Sequence, residues 1–432
     1  MTDHVDFSLP TLGETYHEVT HESGLRVLIA PKDMATTYAM LGVKYGSADT
    51  PKHLAHGLPS GEETPLGVAH FLEHKMFEEA DGASCDLRFA ELGAEVNAYT
   101  SYDRTVYYIS CTQNFEKSLA ALLGLVSDLH VTRASVARER SIIAEEIRMN
   151  DDSPFERCYA ELLRAMYGRH RVREEICGTE ASVKKITPRL LQAHFDAFYR
   201  PDNMVLSVAG RVTVAEVMAV VDACLGHASA PTPAVGICGT QEPPAPYRTY
   251  TEMRMQVSKP LFCIGVKDRQ IPTDPQALFR KDLCMTLLSE MLFSRSGDFY
   301  NDLFEREIIT PSYAYGSALG QGYGYFAISG EADDPQAVYD EFRAYVDGLM
   351  ARGLSSEDLE RSRRILYGDY VTGFDATEDV AQALLTYAMD GIDLFDFLPT
   401  VTSITLAELT ELFTSSFDPE QLVLSVVKPL ES

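Results

Sequence analysis

The chain has 432 residues, too many for one ordinary domain, and is 45% hydrophobic, enough to bury two cores. Its 64 acidic residues outnumber 37 basic ones, giving a formal net charge of −27 that repels nucleic acid and anionic membrane surfaces. The first residues lack a basic start followed by an apolar run, no stretch approaches the ~20 apolar residues of a spanning helix, and the eight cysteines form no C-x-x-C pair, so a reduced, cytoplasmic chain is expected.

In chain order, "GLRVLIA" (24–30) and "MLGVKYGSADT" (40–50) read as the start of a sheet. "GVAHFLEHKMFEE" (67–79) then places two of the chain's 11 histidines and a glutamate within five positions. Wound at 100° per residue, His70, Glu73 and His74 share one face, with Val68, Leu72 and Met76 on the other. Histidines four apart can aim two ring nitrogens at one zinc ion, and the glutamate between them reaches a water on that ion. The order is H-x-x-E-H, that of the inverzincins. "AEVNAYTS" (94–101) alternates as a strand, and "FEKSLAALLGLVSDL" (115–129) is a helix pattern.

Catalytic zinc takes three protein ligands, so a third must come from elsewhere. The best source is "VARERSIIAEEIRMNDDSP" (136–154), a helix pattern that stops at Ser153-Pro154 and carries Glu139 and Glu146 on one stripe. By itself such a stripe reads more readily as a solvated face. "ITPRLLQAHFDAF" (186–198) and "MVLSVAG" (204–210) add a helix and a strand.

Residues 226–250 are proline-rich and lack periodicity, which marks a linker. The expected division is therefore 1–226 for a metal-bearing domain, 227–250 for the linker and 251–432 for a second domain. The halves repeat: "ITPRLLQAHFDAFYRPDNMVLSV" from Ile186 matches "ITLAELTELFTSSFDPEQLVLSV" from Ile404 without a gap, with nine identities. "CIGVK" near Gly265 and "FAIS" at Phe326 echo "MLGVK" and "YYIS" of the first half. Short strands alternating with long helices predict an α+β fold of two duplicated domains, each a mixed sheet covered by helices.

In the second half "MTLLSEMLFSRSG" stands where the histidine helix would be. Glu290 matches Glu73, while Leu287 and Met291 replace the histidines, so this copy binds no zinc in that way. "EDLERSRRILYGDY" stands opposite the Glu146 helix, with an arginine or a tyrosine near the ligand position according to register.

"GVAHFLEHKMFE", "AEVNAYTSYDRTVYY" and "ERSIIAEEI" resemble, in order and spacing, the pitrilysin/insulinase-like inverzincin zinc peptidases, which include the mitochondrial processing peptidases. The resemblance covers about the first 210 residues well and the rest through the repeat; it implies a half-length member with one Zn2+ per chain. His70, His74 and Glu146 would be the metal ligands, Glu73 the catalytic base and Glu139 a supporting carboxylate of the catalytic set. Glu146 is preferred to Glu145 because the family ligand stands seven residues after the earlier glutamate. Asn97, Ala98 and Tyr99 would bind substrate through strand pairing.

The family also uses an arginine and a tyrosine of the second half to hold substrate. Tyr313, Tyr315, Tyr323 and Tyr325 lie in the matching region, with Tyr323 and Tyr325 the substrate-binding candidates, but no arginine lies between Arg306 and Arg343. The implied activity is an endopeptidase acting on peptides or unfolded segments in an enclosed chamber. The implied partner is a different chain of the same family, with a homodimer as the other possibility. The rival reading is a non-catalytic peptide-binding or scaffold subunit. A structural or storage zinc protein fits less well, because two imidazoles, one carboxylate and an adjacent free base describe an open site.

Overall fold

The computed structural model describes residues 3–49, 64–80, 82–225 and 241–431. Most of the expected linker, residues 227–240, lies outside them.

Two compact units divide the chain, and neither is a continuous half. The first comprises Met1–Ile147, Glu175–Cys238 and Tyr370–Phe395, the second Arg148–Glu174, Gly239–Asp369 and Asp396–Ser432. The first is built on a seven-stranded sheet of β1 (Asp3–Leu9), β2 (Glu14–Thr20), β3 (Arg26–Pro31), β4 (Thr37–Val43), β5 (Ala94–Thr100), β6 (Thr105–Cys111) and β7 (Met204–Gly210). Their order is β1-β2-β3-β7-β4-β6-β5. The second is built on five strands, β8 (Tyr250–Met255), β9 (Leu261–Lys267), β10 (Ala314–Gly320), β11 (Tyr323–Glu331) and β12 (Leu422–Pro429), in the order β10-β11-β9-β12-β8.

Read from the other edge, the first sheet runs β5-β6-β4-β7-β3, strand for strand the order of the second. Orientations agree as well: β3–β7 and β8–β12 are parallel, and the other neighbouring pairs of the shared five strands are antiparallel. The duplication seen in the sequence is a duplication of topology, and the hairpin β1–β2 is an addition to the first copy. Small local devices repeat too. Thr187 and Thr405 cap the matching helices Pro188–Phe198 and Leu406–Ser416, accepting from the N–H groups of Leu190 and Glu408. Arg140 and Arg363 each reach the carbonyl just ahead of those caps, on Ile186 and Ile404.

Central strands β4, β7 and β9 are buried throughout, as expected of strands covered on both faces. In the first unit Val27, Ile29, Ala39 and Leu41 belong to the core that includes the histidine helix. Their alternating neighbours Leu28, Ala30, Tyr38 and Met40 join a second core with Val380, Leu384, Leu385 and Met389. Those last four lie on helix Thr377–Asp390, so this sheet face is covered by a helix from late in the chain. The second unit does the reverse, taking helix Pro154–Met166 from early in the chain against β9 and β12. A pair of glycines admits these helices. A Cβ at Gly42 would lie 2.5 Å from Met389 Sδ, and one at Gly265 would lie 3.0 Å from Met166 Sδ, each with a leucine, Leu385 or Leu162, at 3.1 Å. The units thus differ from a simple division at the proline-rich segment, because each sheet takes one covering helix from the other repeat.

The end of the expected linker is not free chain. The Glu242 carboxylate accepts from the N–H groups of Gly168, Arg169 and His170 and from Lys267 Nζ, and Tyr247 and Arg248 donate to the carbonyls of Met166 and Ala165. Lys267 also donates to the carbonyls of Pro243 and Ala245. The composition of this stretch suggests a tether, but a buried ion pair fastens it to the second unit.

Candidate metal centre

The H-x-x-E-H segment forms helix Val68–Met76. Its entry is set by Gly67, at φ 86°, where a Cβ would come 2.4 Å from the Cys177 carbonyl oxygen. Gly178, at φ 77°, answers from the opposing loop, its own Cβ position 2.8 Å from the Leu66 oxygen. The two backbones approach as closely as glycine allows, and this fixes where the helix begins. Gly67→Ala should therefore cost roughly 2 kcal/mol or more of stability, from the positive φ and the clash together. A shift in the urea midpoint of the purified variant checks it, against a smaller loss for Gly82→Ala, where the positive φ acts without a clash because only an arginine tip comes within 4 Å.

The sequence predicts one polar and one packed face. The helix is instead enclosed nearly all round: Val68, Ala69, His70, Phe71, Leu72, Glu73, Lys75 and Met76 are all buried. Lys75 is wholly buried and pairs with Glu78, which also meets Arg138 of helix Arg133–Asp151. Periodicity could not reveal this, because a buried lysine depends on a partner from another element.

His70 Nε2 lies 3.3 Å from Glu146 Oε1, and His74 Nε2 lies 3.5 Å from Glu146 Oε2. One ligand atom from each of the three falls within 4.8 Å of the others. Two donors at ~2.0–2.1 Å from a tetrahedral ion stand about 3.3 Å apart, close to the two histidine–carboxylate separations here. On the far side of the ring, His74 Nδ1 is 3.0 Å from Glu139 Oε1, which leaves Nε2 to face the cluster. His70 Nδ1 is buried with no hydrogen-bond partner among the described residues.

The electrostatics agree with the geometry. Hydrogen bonds from His70 and His74 hold the Glu146 carboxyl well below the usual carboxylate range, against the effect of burial. Burial opposes a charge on His74, but the Glu139 and Glu146 carboxylates outweigh it and raise the imidazole to about 9. A carboxylate facing two imidazoles is a place prepared for positive charge. Glu145 is exposed and is not part of the cluster, whereas Glu146 is partly buried within it.

Glu73 is 9% exposed, and its Oε2 accepts a 2.5 Å hydrogen bond from Thr100 Oγ1 at the end of β5. Thr100 is the site residue that sequence reasoning missed; its only signal was to share the strand parity of Ala98, facing the histidine helix. Among the described residues β5 is the outer strand of its sheet, paired only with β6. There Asn97 Oδ1 accepts from the Ala98 N–H at 2.8 Å, so a side chain caps a group that another strand could take. The Tyr99 hydroxyl meets Gln382 at 3.1–3.3 Å.

The second unit carries the counterpart. Leu287 and Met291 are buried hydrophobics, as expected, and Glu290 Oε2 accepts from the Tyr315 hydroxyl at 2.6 Å. The register of the opposite helix, Ser356–Thr372, resolves differently from either sequence alternative. Arg363 follows Arg140 by 223 residues, and the same step from Glu146 reaches Asp369, neither an arginine nor a tyrosine. Burial, then the hydrogen bond to Glu290 and the charge of Asp369, push the Tyr315 pKa upward. This copy has kept both acids and lost both histidines.

The tyrosines expected to touch substrate are largely committed within the second unit. Tyr325, expected among the substrate-binding residues, is 3% exposed, its hydroxyl bonded to that of Tyr159. Tyr313 is buried and donates to the Phe293 carbonyl. Tyr323 is partly buried, its ring 5.3 Å from that of His170.

A duplicated mixed-sheet fold with an H-x-x-E-H helix in one copy and its emptied counterpart in the other defines the class, an inverzincin-type peptidase fold. The sequence model of "Insulinase (Peptidase family M16)" matches residues 57–180, and that of "Peptidase M16 inactive domain" matches 185–366. The chain belongs to this family. It is 32% identical over 97% of its length to a Bacillus subtilis protein named "Uncharacterized zinc protease YmfH", covering 97% of that relative. A solved structure described as a "putative M16-like peptidase from Alicyclobacillus acidocaldarius" superposes with a TM-score of 0.90 at 32% identity, covering 99% of this chain and all of that one. A more distant match, 30% identical over 48% of this chain and 44% of the relative, is named "Probable mitochondrial-processing peptidase subunit beta" of Schizosaccharomyces pombe. Among the described residues no helix is long and apolar enough to cross a membrane.

Proposed function

We propose that the chain is a zinc endopeptidase that hydrolyses peptides or unfolded segments. The observation that carries this reading is the convergence of His70, His74 and Glu146 beside a buried, hydrogen-bonded Glu73, in a chain whose relatives are named zinc proteases. His70, His74 and Glu146 would hold one zinc, which when bound supplies a water of lowered pKa and polarises a peptide carbonyl. Thr100 holds one oxygen of Glu73 in place. The other oxygen takes a proton from the attacking water and returns it to the departing amine nitrogen. Glu139 fixes the His74 tautomer through Nδ1. An extended peptide pairs with the outer edge of β5 at Asn97, Ala98 and Tyr99, displacing the Asn97 cap, which demands little of its sequence. The seven described cysteines are all free, which supports a cytoplasmic setting.

The active form we infer is an enclosure built with a second chain of the same family, different from this one. The region where the family places a substrate-holding arginine has none, and Tyr313, Tyr315 and Tyr325 are held within their own unit. A homodimer would meet the same shortage twice. The rival, a non-catalytic scaffold subunit, is opposed by the complete set of His70, Glu73, His74 and Glu146. Incubating the purified chain, alone and with a co-expressed relative, with a mixed peptide library tests both points. Cleavage that needs zinc and rises with the relative is expected. Full cleavage by the lone chain would refute the heteromer, and none under either condition would favour the scaffold.

A further inference from the structure

A second cluster of metal-binding side chains lies on the β1–β2 hairpin, the part of the first sheet that the duplicated topology does not require. His4 and Asp6, two apart on β1, share one face, and the antiparallel register sets His17 of β2 directly opposite Asp6. His17 Nδ1 lies 2.6 Å and His4 Nε2 3.0 Å from the same Asp6 Oδ1, with the two rings 5.6 Å apart. One ligand atom from each falls within 4.8 Å of the others, as in the H-x-x-E-H cluster. We propose that His4, Asp6 and His17 form a peripheral, exchangeable site for a divalent transition metal, Zn2+, Ni2+ or Cu2+, that clips β1 to β2.

The donors decide the class of ion. Two imidazoles with one carboxylate favour these borderline ions, whereas Mg2+ and Ca2+ prefer an all-oxygen shell. His4 and Asp6 are exposed and His17 partly so, so water completes the shell and the ion exchanges with solvent. Closed sites that contribute to folding are built from four protein ligands, and this one has three. Its effect is therefore local. The cross-strand pair joins the two strands of the hairpin, so an ion joining His17 to His4 and Asp6 resists fraying of β1 from the sheet edge, where β2 is its only neighbour among the described residues.

The test compares bound Zn2+ per chain by equilibrium dialysis for the wild type and for His4→Ala/His17→Ala, with His17→Gln as a milder variant. The double variant is expected to bind one equivalent fewer than the wild type, and peptide hydrolysis is expected to be unchanged in both variants. That difference of one equivalent does not depend on whether the His70 site is occupied. Hydrogen exchange gives a second readout: Zn2+ should slow the amides of Asp3–Leu9 in the wild type and not in the double variant. Equal zinc binding by wild type and double variant, or a difference that appears only at millimolar free zinc, would overturn the assignment.

Discussion

Glu73→Gln is expected to leave zinc in place and to lower peptide hydrolysis by roughly a hundred- to ten-thousand-fold, the usual contribution of a positioned general base. The amide keeps the shape of the side chain and can still accept from Thr100 Oγ1, so the helix and the three ligands should be undisturbed. What it cannot do is take a proton from the water. The loss should therefore appear in kcat, with substrate affinity little altered, and zinc content measured on the same sample separates a lost base from a lost metal. Near wild-type turnover by the verified variant would remove Glu73 from its role.

A second large effect is expected on the third ligand. Glu146→Gln should weaken zinc retention by more than the roughly 10–100-fold typical of lost outer-shell partners, because it removes the charge that the two imidazoles face. Glu145→Gln, one residue away, should retain zinc like the wild type, since that side chain is exposed and lies outside the cluster. Competition against a chromogenic chelator ranks the two variants. The reverse order would mean that the helix presents its neighbouring residue to the metal.

The contrast between the two units shows what was legible in the sequence. His70, Glu73 and His74 sit at helical spacing within one segment, and their side-by-side placement follows from the geometry of a single turn. The strands "GLRVLIA" and "MVLSVAG" were equally plain, and so was the duplication, because a gapless match at Ile186 and Ile404 implies equal folds. Glu146 was not fixed by periodicity alone, since a carboxylate on a helix stripe ordinarily faces solvent; the family spacing selected it, and the structure sets it against both imidazoles.

Three features were hidden because they depend on elements distant in sequence. The exchange of helices Pro154–Met166 and Thr377–Asp390 leaves each amphipathic pattern intact while changing the sheet it covers, and only the matched gaps at Gly42 and Gly265 record it. Asp369 became the counterpart of Glu146 only once Arg140 and Arg363 were seen making the same backbone contact. Tyr325 reads from sequence like any strand tyrosine, and its burial against Tyr159 depends on that exchanged helix.

The central claim is that one zinc ion, held by His70, His74 and Glu146, turns this chain's peptide hydrolysis on. The most direct measurement strips the purified assembly with a chelator, removes the chelator, and follows cleavage of an unstructured peptide as zinc is added back in sub-stoichiometric steps. Activity should be absent at the start, rise in proportion to added zinc and level off at one equivalent per chain, even where more zinc binds at the hairpin. Hydrolysis that persists in the stripped protein at its original rate, or that needs two equivalents before it appears, would contradict the account.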